Sequence, residues 1–347
     1  MIDLLSMSLA ELNDFVKSHG FPAFRANQLF SWLMRGTPFH DMTNLPLKFR
    51  ETLAGIAVEC TVAIDRVFES KTHGTQKFLC KLTDGNLIES VLMRYHHGNT
   101  LCISSQVGCK MRCAFCASTL NGHVRDLTAG EMLGQVITAN AQLGNEQRVR
   151  NVVIMGSGEP LDNYDNVLRF IRNAADERSL NLSVRGISLS TCGLVPQIYR
   201  LSEEGLPLTL CISLHAPNDA IRQRIMPIAS TYSIEQVMSA CRHYVSVSGR
   251  RAIIEYVLID GLNDGAACAD QLASILRNFQ CHVNVIPLNS VKERSLRASP
   301  EKKVAAFVDR LTHHHISVTR RREMGDDIQG ACGQLRNSIL MGGDGEE

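Results

Sequence analysis

The sequence predicts an α/β fold: a partial (β/α)6-type barrel preceded by a small helical N-terminal domain and a short strand meander. Three observations predict it. Beyond residue 101, short apolar runs alternate with amphipathic helical windows, the rhythm of parallel strands joined by right-handed helical crossovers. Before residue 58, apolar residues recur at three- and four-residue spacing. Between about 60 and 100 they fall into brief β-like runs separated by HG and DGN turns.

LAELNDFVKSHG, FRANQLFSWLM and LPLKFRETLAGI give the helices of a domain over 1–58, punctuated by Gly20, Gly36 and Pro46. VAIDRVFE, TQKFLCKL and NLIESVLMRY give a strand linker region over 59–100. The barrel, 101–340, takes its strands from LCISSQ, VRNVVIM, VRGISLS, LTLCISL, RAIIEYVLI, CHVNVIP and ISVTRRR. Its helices come from windows such as TAGEMLGQVITANAQLG and SIEQVMSACRHYVSV, many opened by Thr, Asp or Ser caps. The small acidic residues 341–347 read as a disordered tail.

A hydrophobic share of 44% against 20% charged residues supports a sizeable buried core and excludes a disordered chain. No run of eighteen apolar residues occurs, and acidic residues stand where a signal peptide needs positive ones, so a cytoplasmic protein with no membrane partner is expected. The net charge of +1 gives no global pull toward nucleic acid. Any RNA contact must come from local basic runs such as Arg320 to Arg322 and the basic residues of the helical domain.

Twelve cysteines in a reducing compartment point to metal binding or catalysis where they cluster. Cys109, Cys113 and Cys116 form the cluster, CKMRCAFC. Three thiolates from one short loop leave one iron of a [4Fe-4S] cube open to a substrate. The competing reading is a structural zinc in a non-catalytic RNA-binding protein, with His123, seven residues after Cys116, as candidate fourth ligand. Polar residues at the carboxyl ends of predicted strands, the active face of such barrels, supply further candidates. They are Gly158, Glu159 and Pro160 in MGSGEP, Ser190 in STCG, the run Ser213, Leu214 and His215, and Asn289 in IPLN. Cys60, Cys80, Cys192, Cys211, Cys241, Cys268 and Cys281 read as small buried apolar residues. Cys102, shortly before the cluster loop, and Cys332, flanked by glycines in GACGQL, stand apart from them.

CxxxCxxC with an aromatic residue, Phe115, before its last cysteine resembles the radical S-adenosylmethionine (SAM) superfamily. That resemblance implies that the open iron chelates the amino and carboxylate groups of SAM. It also implies that Gly158, Glu159 and Pro160 hold the methionine amino group, while Ser190, Ser213, Leu214, His215 and Asn289 hold ribose, carboxylate and adenine. SSQVGCKMRCAFCAST, VVIMGSGEPLDNYDNV, CISLHAPNDAIRQRIMPI, CHVNVIPLN and VTRRREMGDDIQGACGQL, in this order, resemble the RlmN/Cfr class of radical SAM RNA methyltransferases.

That class implies a ping-pong mechanism with two SAM molecules per turnover. By motif match Cys332 corresponds to its methyl-carrying cysteine, Cys102 to the resolving cysteine that forms a transient disulfide with it, and Glu89 in LIESV to its proton acceptor. The implied partners are 23S rRNA, tRNA and an electron donor such as flavodoxin or ferredoxin, with the enzyme a monomer. GEPLDNYDNV and HVNVIPLN resemble the branch that methylates adenine C2 more than the C8-methylating branch that confers antibiotic resistance. MGSGEP in place of MGMGEP, PIAS in place of a PIN-like segment and DIQGACGQL in place of DIDAACGQL depart from the pattern.

Overall fold

The computed structural model of the chain describes residues 1–71, 74–144, 147–322, 324–331 and 333–335. Cys332 and the expected tail at 341–347 lie outside the described residues.

β1 (Ile2–Asp3) is followed by α1 (Leu9–Ser18), α2 (Phe24–Leu33) and α3 (Leu47–Ile56), and β2 (Ala57–Val58) returns parallel to β1. The start of α1 is fixed by a reciprocal cap: the Ser8 hydroxyl accepts from Glu11 N (3.3 Å) and the Glu11 carboxylate accepts from Ser8 N (2.7 Å). Leu12, Phe30, Phe49 and Leu53 enter the same continuous core as the barrel's own apolar residues. The helical unit is therefore packed onto the barrel.

β3 (Val62–Glu69), β4 (Gln76–Leu82), β5 (Leu87–Tyr95) and β6 (Gly98–Ile103) form an antiparallel meander. Sequence alone suggested a linker here, but β6 pairs in parallel with a barrel strand and draws the meander into the main sheet. The reason is burial: Phe78, Cys80, Leu82, Ile88 and Leu92 face the common core.

β7 (Gln106–Gly108) and β8 (His123–Asp126) make a two-stranded ribbon that brackets the cysteine loop. There follow α4 (Ala129–Leu143), β9 (Val149–Ile154), α5 (Tyr164–Ala175), β10 (Ile187–Thr191), α6 (Val195–Glu203) and β11 (Thr209–Ser213). α7 (Asp219–Ile225), α8 (Ile234–Ser248), β12 (Ala252–Leu258), α9 (Ala266–Leu276), β13 (Cys281–Pro287), α10 (Glu301–His313) and β14 (Val318–Arg320) complete the α-helices and strands among the described residues.

The main sheet has ten strands in the order β14-β13-β12-β11-β10-β9-β6-β5-β4-β3. From β6 to β14 every pairing is parallel, and helices make the crossovers, so this part is a partial barrel whose sheet does not close. Thr128 caps α4 with Glu131 as Ser8 does α1, and its hydroxyl also donates to Asp3 Oδ2 (2.8 Å), tying the N-terminal unit to the barrel. No helix among the described residues is long and apolar enough to cross a membrane.

Candidate functional site at the strand ends

The cysteine loop leaves β7 through Gly108, whose φ of +75° suits glycine. Backbone bonds then pin it on three sides: Cys109 N donates to Gly122 O (2.9 Å), Ala114 N to Ile225 O (2.8 Å) and Ala117 N to Gly333 O (2.7 Å). A loop so held presents its thiols in a set geometry. Burial pushes the Cys109 thiol up to about 12 and the Cys113 thiol well above its ordinary range. Such thiols become ligands when a metal displaces the proton.

A single zinc in this loop would want His123 as its fourth ligand. His123 instead turns to Asp126 Oδ1 (3.1 Å).

Beyond β9, the 156–160 segment is packed against the strand that precedes the cysteines. Ser105 N and Gln106 N both donate to Ser157 O (2.9 and 3.1 Å), and Gln106 Oε1 accepts from Glu159 N (2.8 Å). The Glu159 carboxylate is buried and accepts from Leu161 N (3.1 Å) and Cys192 N (2.8 Å), joining the ends of β9 and β10. Gly158 sits at φ +112°, and a Cβ there would lie 2.7 Å from both Gln106 Cβ and Ser105 Oγ. Gly158→Ala is accordingly expected to weaken SAM binding by at least about tenfold, since an L side chain both strains this φ and displaces the neighbouring strand. Equilibrium dialysis with labelled SAM measures it, and unchanged binding would refute the close packing.

β10, β11 and β12 contribute a polar shelf. Ser190 Oγ donates to Glu255 Oε2 (2.8 Å), and Ser213 Oγ lies 3.4 Å from the same oxygen. Glu255 is buried, and its Oε1 has no hydrogen-bond partner among the described residues; Arg321 Nη1 stands 3.7 Å away. His215, at a positive φ of 58°, accepts from Val257 N on Nδ1 (3.0 Å) and meets Phe115 edge-on at 4.9 Å between ring centroids. Burial, helped by the charge of Arg222, pushes this imidazole down to about 3. It is neutral at physiological pH, and the bond to Nδ1 leaves Nε2 as the donor.

Fully buried Arg222 underpins the shelf. Its guanidinium donates to Cys192 O (2.6 Å), Leu214 O (3.2 Å) and Ser213 O (3.3 Å), the carbonyls just beyond or at the ends of β10 and β11.

One cavity gathers Cys109, Cys113, Cys116, Gly158, Glu159, Ser190, Ser213, His215 and Asn289, with Glu255 and Gly333. Pro160 and Leu214 are absent from its lining; Leu214 is buried and acts through its backbone, whose N–H donates to Glu255 O (3.1 Å). A second cavity adjoins the first, sharing Met155, Ile286, Pro287 and Asn289, and holds Cys102 beside Val91, Met93, Arg321, Arg322 and Ala331. Glu89 lines neither cavity: it is buried in β5 with its carboxylate 2.9 Å from Lys77 Nζ.

Sequence reasoning missed Glu255 and Arg222. A charged residue inside an apolar strand run, AIIEYVL, was the available signal for the first. For the second there was none, because IRQRI reads as an ordinary exposed helix.

A cradle that a Cβ would fill and a buried carboxylate on the cavity wall, one of whose oxygens has no hydrogen bond among the described residues, both fit a ligand with an amino-acid end and hydroxyl donors, as SAM has. The cysteine loop fits a cluster beside it.

Comparison with known proteins agrees with this arrangement. Residues 103–269 match the Radical SAM superfamily, and residues 2–58 match the Ribosomal RNA large subunit methyltransferase N-terminal domain. A protein of Lachnospira eligens named "Probable dual-specificity RNA methyltransferase RlmN" is 49% identical over 98% of this chain and 97% of its own length. A protein of the same name from Lachnoclostridium phytofermentans is 48% identical over 97% and 95%. The crystal structure of a radical SAM methyltransferase from Sphaerobacter thermophilus superposes with a TM-score of 0.93 at 40% identity, covering 96% of this chain and 99% of that one.

Proposed function

Because this chain belongs to the RlmN family of radical SAM RNA methyltransferases, we propose that it methylates C2 of an adenosine in the peptidyl-transferase centre of 23S rRNA and of the adenosine beside the anticodon in tRNAs. It does so in the cytoplasm as a monomer, with flavodoxin or ferredoxin as electron donor. The observation that carries the reading is the meeting of two cavities, one walled by the cysteine loop and the Gly158 cradle, the other by Cys102. The described neighbours of Cys332 in the chain fall on both: Ala331 lines the second and Gly333 the first.

When bound, the [4Fe-4S] cluster and SAM would supply the methyl group, hydrogen abstraction and a one-electron reduction, with that electron taken back from the RNA adduct as its proton leaves. Cys109, Cys113 and Cys116 hold the cluster. The 158–160 segment receives the methionine amino group, with Glu159 bracing it between β9 and β10. Ser190, Ser213 and Glu255 face the ribose, neutral His215 donates from Nε2, and Asn289 faces the adenine. Cys332 carries the methyl group to the RNA as a thioether. Glu89 then accepts the proton from the methylated carbon of the adduct. The Cys102 thiolate attacks the Cys332 sulfur, a disulfide forms, and the sulfur–carbon bond breaks toward the RNA, whose new methyl takes up a proton. Arg320 to Arg322 and the N-terminal helices bind RNA phosphates.

Glu255→Gln keeps the shape and removes the charge-assisted acceptor, so the Kd for SAM is expected to rise about tenfold with the cluster spectrum unchanged. A Kd within twofold of the parent would withdraw Glu255 from the ribose site.

The function itself is tested by nucleoside mass spectrometry of unmodified 23S rRNA and tRNA after anaerobic turnover with methyl-labelled SAM. Labelled 2-methyladenosine is expected; 8-methyladenosine would move the enzyme to the other branch of the class.

A further inference from the structure

We propose that Lys77 is the positioning residue of the reaction's proton-transfer step, holding Glu89 charged and aligned while anchoring the loop that leads to Cys332. The inference rests on the assignment of Glu89 as proton acceptor.

Lys77 lies on β4 opposite Val91, and Glu89 lies on β5 opposite Leu79, so the two are diagonal neighbours on one face of the sheet. Their side chains are 8% and 2% exposed, and Nζ stands 2.9 Å from Oε1. The ammonium also sits 4.9 Å from the centroid of the Phe68 ring and 3.5 Å from the backbone oxygen of Gln329, three residues before Cys332. Two residues nearer the start of that loop, the Asp327 carboxylate accepts from Ser70 Oγ (2.8 Å) and Lys71 N (2.9 Å). The β3–β4 hairpin thus grips residues 327–329 at two points, and one of its grips is the cation that pairs with Glu89.

The chemistry gives the arrangement a purpose. A buried pair of charges adds little stability over well-packed apolar residues, whereas a carboxylate buried without a cation takes up a proton. A protonated Glu89 is far too weak a base to take the proton of the adduct. Lys77 keeps it ionised until that moment, and its contact with Gln329 places base and loop in one frame. Lys77 touches no substrate; it acts through Glu89 and through the loop.

The test uses the reconstituted holoenzyme and follows the covalent protein–RNA species on denaturing gels. Lys77→Met is expected to slow product release at least tenfold and to accumulate the adduct, with cluster absorbance and SAM binding like the parent's. Lys77→Arg restores most of the rate because a cation returns. In a Glu89→Gln background, Lys77→Met costs at least threefold less than it does in the parent, because only the loop contact is then left to lose, and this double variant has no unpaired buried charge to unfold it. Parental turnover by Lys77→Met, or losses from the two substitutions that multiply, would overturn the proposal. Full activity of Glu89→Gln alone would instead remove the proton-acceptor assignment on which it rests.

Discussion

Cys332→Ala is expected to bring RNA methylation down by roughly a thousandfold or more, the scale on which loss of a covalent carrier falls. Alanine has no sulfur to accept the methyl group, so neither the thioether nor the RNA adduct can form. Binding should survive, because the cavity wall is supplied by other residues: the three cluster cysteines, the Gly158 cradle and the β10–β12 shelf. The variant should therefore keep its iron–sulfur absorbance and its SAM affinity while labelled methyladenosine falls below detection. Substantial product from this variant would remove Cys332 from the carrier role and leave direct transfer as the remaining route.

The second large effect concerns Arg222. Arg222→Ala is expected to lower the unfolding free energy by about 3–5 kcal/mol, the range seen when one member of a buried, fully engaged polar network is deleted. The loss has a plain cause. Cys192 O, Ser213 O and Leu214 O would face a cavity with no donor, and water reaches fully buried positions poorly. Arg222→Lys keeps the charge but not the planar fork, and should recover part of the loss. Urea unfolding of the apoprotein reads both values. A change under about 1 kcal/mol for the alanine variant would show that the shelf stands without it.

Legibility in the sequence followed physical cause. The alternation of apolar runs and amphipathic windows after residue 101 reports directly on a parallel sheet covered by helices, and those strands appear where the pattern puts them. Cys109, Cys113 and Cys116 stood out because three thiols at short spacing lie within one loop, and the structure puts all three on one cavity wall. Glu255 was not, because its meaning depends on Ser190 and Ser213, which come from two other strands brought beside it. The meander's place in the main sheet escaped for a similar reason: the β6–β9 pairing joins segments some fifty residues apart, and periodicity speaks only of neighbours. Glu89 was named through family resemblance, but its partner Lys77 is visible only in three dimensions.

The hold of the β3–β4 hairpin on Asp327 has a consequence for how the enzyme is made. Ser70 and Asp327 are 257 positions apart, so the grip closes only after every barrel strand between them has been synthesised. The strands of the barrel can pair progressively during translation, each on the one before it. The segment ahead of Cys332 can dock onto the β3–β4 hairpin only once those intervening strands have been made. A chain that stops before Asp327 has the residues of the cysteine loop and the β10–β12 shelf without this clamp.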